Sequence, residues 1–89
     1  MDSILNTIKR MLGLAEDYDA FDVDIIVGIN SAFMTLTQLG VGPSTGFSIS
    51  DDKSEWKEFA DPIRYAAAKT YIYQKVRLGF DNITSSSVI

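Results

Sequence analysis

Eighty-nine residues, 46% of them apolar, supply one modest core and predict a single domain. The absence of cysteine and histidine removes disulfides, thiolate metal sites and the commonest general base together. The net charge of −4 divides unevenly, since residues 1–62 hold eleven acids against four bases, or −7, and residues 63–89 hold four bases against one acid, or +3. Such opposition suits either a dipolar monomer with solvated faces or a basic end that meets the acidic end of the next copy. Met1-Asp2-Ser3 opens no secretory signal, and no apolar run approaches the roughly 20 residues of a membrane span, so synthesis in a cytoplasm and no membrane partner are expected.

The first helix is predicted from about Ser3 to Leu12, capped by Ser3 or Asp2, with Ile4, Leu5, Ile8, Met11 and Leu12 on one face. Lys9 and Arg10 occupy its last turn, and Gly13 supplies a left-handed stop. A polar loop over 15–20 leads to a second helix, about Asp22 to Leu39, whose Ile25, Ile26, Ile29, Phe33 and Leu36 repeat at helical spacing. Asp22 and Asp24 suit its N-terminal end, Gly40 its C-terminal cap, and Val41 is placed to touch Leu36 across that cap. Gly28 inside it marks either a close helix contact or simple tolerance.

Residues 40–46 are too rich in Gly and Pro to be regular, and Phe47-Ser48-Ile49-Ser50 alternates like a short extended piece. Asp52 precedes Glu55 at capping-box spacing and opens a short helix with Trp56 and Phe59 to one side. Asp61-Pro62 ends it and starts the last helix, about Pro62 to Leu78. On a helical wheel Tyr65, Ala68, Ile72, Tyr73, Val76 and Phe80 form one stripe, interrupted by Lys69, and Ala67, Tyr71 and Leu78 form a second. A second stripe requires central burial or a partner surface, and in so small a domain the partner is the expectation.

No catalytic residue, cofactor or metal is expected. The glycine loop lacks the Gly-Lys-Ser/Thr ending that sets a lysine on phosphate, and Asp17, Asp19, Asp22 and Asp24 lack the glycine and closing glutamate of a calcium loop. Asn82-Ile83-Thr84 matches a glycosylation acceptor, with nothing else to indicate secretion. Trp56, with Phe47 and Phe59, reads as a core anchor. Arg64, Lys69, Lys75 and Arg77 interleave with Tyr65, Tyr71 and Tyr73, so the alternative function is a small helical nucleic-acid-binding regulator. Their spread around the helix and the acidic whole weigh against it. An enzyme would need a nucleophile or general base that these residues do not assemble.

Leu39-Gly40-Val41-Gly42-Pro43, then Gly46-Phe47-Ser48-Ile49, then Trp56-Lys57-Glu58-Phe59, and finally the run from Lys69 to Asp81, with Ile4 to Leu14 and Phe21 to Phe33 ahead of them, form an ordered set. In that order the chain up to Asp81 resembles the small head-tail connector, or adaptor, proteins of tailed bacteriophages. The resemblance implies an all-helical, non-enzymatic subunit of a ring in the virion neck, typically dodecameric, beneath the portal. The portal docks on one side, a stopper or tail-completion protein on the other, and DNA passes through unread. Family members often carry prolines after the Phe-Asp pair and a further helix, where this sequence has Asn82-Ile83. Portal docking then falls either to the tail from Thr84 to Ile89, adding extended backbone, or to the helical body.

The expectation is therefore an all-α bundle of about four helices, with a Gly/Pro loop and a short extended segment between the second and third. Residues 1–81 form the helical connector domain and 82–89 an extended docking tail. Subunit or portal contacts are assigned to Tyr65, Ala67, Tyr71, Lys75, Arg77 and Leu78, continued by Phe80, Ile83, Val88 and Ile89. Glu16, Asp17, Asp19, Asp22 and Asp24 are assigned to an acidic surface facing a partner or the lumen.

Overall fold

The computed structural model describes residues 3–86, with side chains to residue 80. Four helices, α1 (Ile4–Met11), α2 (Asp22–Gln38), α3 (Trp56–Phe59) and α4 (Pro62–Ser86), and no strand occur among the described residues, as an all-α bundle requires. Ser3 caps α1, its hydroxyl accepting from the Asn6 N–H at 3.2 Å. Gly13 and Gly40 follow α1 and α2 with φ of 83° and 84°, the left-handed conformation that lets the chain turn off a helix end. Beyond Gly40 the Val41 N–H returns to the Leu36 carbonyl at 2.9 Å.

The core is one cluster. Ile4, Leu5 and Ile8 of α1, Ile25, Ile29, Ala32, Phe33 and Leu36 of α2, and Ala68, Ile72 and Val76 of α4 close around Ile49, Trp56 and Phe59. Phe33 is its hub, with the Phe59 ring at 4.7 Å and the Phe47 ring at 5.1 Å. Gly28 is a close helix contact, because a Cβ built there would stand 3.3 Å from Val76 Cγ2. Phe21 at the start of α2 meets Phe80 late in α4 at 5.1 Å, and Leu36 near the end of α2 shares a groove with Ala68. The two long helices therefore run antiparallel.

Two local expectations are corrected, at Met11 and at the capping box. Met11 is exposed, because α1 ends there and its buried face is already filled by Ile4, Leu5 and Ile8. The capping box lies three residues later than predicted: Glu55 and Glu58 form it, the Glu55 N–H donating to Glu58 Oε2 at 2.9 Å. Phe47 to Ser50 pairs with no strand. Instead the Asn30 carboxamide takes both Ile49 backbone groups, at 2.8 and 2.9 Å, and so supplies the donor and acceptor of a missing neighbour.

The largest shift is at the end of α4, which passes through Gly79 and continues to Ser86. Glycine disfavours a helix interior by about 1 kcal/mol, but Phe80 docked on Phe21 holds the next turn in place. Backbone at 82–86 is thus helical where an extended tail was expected, and 87–89 lie outside the described residues.

Candidate interaction surface

On α4 the core-facing stripe comes out as the periodicity requires. Ala68, Ile72 and Val76 are buried, and Tyr65, Tyr73 and Phe80 are half-buried against them. Lys69, which interrupts that stripe, holds its ammonium 5.4 Å from both the Trp56 and Tyr65 ring centres. Its charge meets two π faces.

The second stripe faces outward. Ala67 is exposed, Tyr71 half-buried and Leu78 68% exposed, and Ile63, one turn before Ala67, extends the row. The α2 helix carries a comparable row that its overall apolarity had hidden. Val23, Val27 and Met34, spaced by four and seven residues, are 75%, 63% and 66% exposed. Asp24 and Val27 of α2 and Lys75 and Gly79 of α4 line a groove between the two helices.

That groove corrects the charge reading. Asp24 at the start of α2 and Lys75 of α4 are far apart in sequence, but the antiparallel pairing brings them to one groove.

The acidic segment is partly consumed within the fold. Lys9, 1% exposed, directs its ammonium to the Glu16 carbonyl at 2.8 Å and stands 2.9 Å from Asp22 Oδ1. That carboxylate oxygen takes the ion pair without a well-directed hydrogen bond. Arg10 pairs with the Glu16 carboxylate at 2.6 Å. Asp17, Asp19 and Asp24 stay exposed. Among the described residues no group of three or more acids comes together as a metal site, and no helix is long and apolar enough to cross a membrane.

A family model described as phage connector protein matches residues 4–89. The chain belongs to the phage connector protein family. No curated protein and no solved structure matches it.

In this connector chain the four basic residues of α4 do not form a common face for nucleic acid. Arg64 is held by Asp61 at 2.8 Å, Lys69 lies over aromatic rings, and Arg77 donates to the Tyr73 hydroxyl at 2.8 Å. Lys75 is exposed, with neither an ion pair nor a hydrogen bond among the described residues. Tyr65 and Phe80, assigned to the contact surface from sequence, are engaged with Trp56 and Phe21 of the same chain. Ile83, Val88 and Ile89 lie outside the residues whose side chains are described. Sequence reasoning missed Val23, Val27, Met34 and Ile63. The signal was present as helical spacing, but in α2 it was masked by the stronger apolar period of Ile25, Ile29, Phe33 and Leu36.

Proposed function

We propose that this connector is a structural subunit of the phage neck. Copies assemble into a ring, dodecameric by family resemblance, that joins the portal to a stopper or tail-completion protein and lets DNA pass. The observation that carries the reading is the outward row on α4, with Ile63, Ala67 and Leu78 exposed in a chain of the connector family. A helix of a monomer needs one apolar face, and here a second is left in water. The exposed acids Asp17, Asp19 and Asp24 face a neighbour or the lumen, where negative charge keeps duplex DNA from adhering. Portal docking falls either to the segment after Phe80 or to the helical body.

Leu78→Asp puts a charge into the outward row without touching the core. Assembly, read as mass by light scattering with the portal present, is expected to fall at least about tenfold in apparent affinity. Far-ultraviolet circular dichroism and the melting midpoint should not change. Wild-type assembly by the variant would remove the α4 row from the account. No observation favours the nucleic-acid regulator, since the cations it needs are largely occupied within the subunit.

A further inference from the structure

The outward row on α4 has a counterpart of equal length on α2. Val23 to Met34 and Ala67 to Leu78 each cover eleven residue steps, about 16 Å of helix. Both rows lie off the closest approach of the two helices, at Gly28 and Val76, with Val27, Ala67 and Tyr71 at the rims of the grooves that flank it. Val23 lies about 140° around its wheel from Gly28, and Leu78 about 160° from Val76. Charge sorts along the same lines. Asp24 borders the α2 row beside Val23 and Val27, and Lys75 borders the α4 row beside Tyr71 and Leu78, both side chains being exposed.

We infer that in the ring α4 of one copy lies antiparallel on α2 of the next, its row from Ala67 to Leu78 covering the neighbour's row from Val23 to Met34. The inference rests on the ring reading and names the surface that receives α4. A rotation axis running along the helices repeats every subunit at the same level. Because α2 and α4 are antiparallel within a subunit, α4 then meets the neighbouring α2 in the same sense. Asp24 and Lys75 stand at one level of the molecule, where they line one groove, so in this register Lys75 also comes beside the neighbour's Asp24. Antiparallel pairing also sets opposite helix-dipole ends together. The contact has an apolar centre and charged flanks, the usual anatomy of an interface. It joins two different surfaces, so each copy keeps one of each for the next and the chain of contacts can close on itself.

Leu78 opposes Val23 and Ala67 opposes Met34 in this register, and the absence of cysteine makes the pairing directly readable. Full-length Val23→Cys is mixed with full-length Leu78→Cys, and Met34→Cys with Ala67→Cys, under conditions where the wild-type chain forms rings, and the mixtures are oxidised. A mixed disulfide is expected as the dominant product of both mixtures, with little from Val23→Cys and Ala67→Cys together. Disulfides within each single variant would indicate a two-fold contact and overturn the inference. A product from the crossed mixture would indicate a parallel pairing and do the same. Intact ring mass with no mixed disulfide would mean that another surface closes the ring, leaving the ring reading in place. If no ring forms with or without portal, both readings fall.

Discussion

Trp56→Ala is expected to unfold a large fraction of the protein at growth temperature. The indole is fully buried, with its Nε1–H donating to Thr7 Oγ1 at 3.1 Å, while that hydroxyl donates to the Ser3 carbonyl at 2.7 Å. One side chain thus links the start of α1 to α3, next to the backbone bond from the Ile4 N–H to the Ser54 carbonyl. It also carries the Lys69 ammonium and lies against Tyr65. Removing a buried tryptophan costs about 3–5 kcal/mol, and a domain of this size has on the order of 5–13 kcal/mol in total. The melting midpoint should fall by at least about 15 °C. Trp56→Phe, which keeps ring packing and leaves the Thr7 hydroxyl without its donor, should lose about half as much. A midpoint within a few degrees of wild type for Trp56→Ala would show that the core does not depend on this anchor.

Lys9→Met should cost about 2–3 kcal/mol although it keeps most of the side-chain volume. The ammonium is the only cation buried among the described residues, and it ties the last turn of α1 to both the Glu16 carbonyl and Asp22 at the head of α2. Loss of the charge leaves Asp22 half-buried without its counterion and releases the loop that carries the acids. Asp22 retains some exposure, so the loss falls short of that for a fully buried pair. Denaturant midpoints would read the effect, and hydrogen exchange at 14–20 would read the loosening of the loop. Adding Asp22→Asn to Lys9→Met should recover part of the loss, because the orphaned charge goes with it. Strictly additive losses in the double variant would argue that the two groups act independently.

Helix positions were legible wherever an apolar period coincided with a signed end. Ser3 and Gly13 bracket α1, Asp22 and Gly40 bracket α2, and Asp61-Pro62 opens α4, its Oδ1 accepting from the Arg64 N–H at 2.9 Å. The end of α4 was not legible, because Gly79 reads as a stop unless the docking of Phe80 on Phe21 is known. Nor was Lys9, whose place in the last turn of α1 suggests a solvated cation until the loop folds back over it. Lys69 looked like a flaw in the core stripe, and two aromatic rings distant in sequence explain it.

The α4 half of the candidate surface was visible because its second row interrupts a polar background. The α2 half was hidden because apolar residues occupy more than one side of that helix. Only the antiparallel packing distinguishes Ile25, Ile29 and Phe33, which are buried, from Val23, Val27 and Met34, which are not. The same packing brings Asp24 and Lys75, far apart in sequence, to one groove.

The proposal that this 9.8 kDa chain, with its two outward apolar rows, is a component of a larger assembly is tested most directly by its mass in the presence of the portal protein. Multi-angle light scattering of the purified chain with portal should give a complex heavier than portal by many whole subunits, consistent with a closed ring. A chain that elutes at its monomer mass beside an unaltered portal peak, across concentrations well above those in an infected cell, would contradict the account.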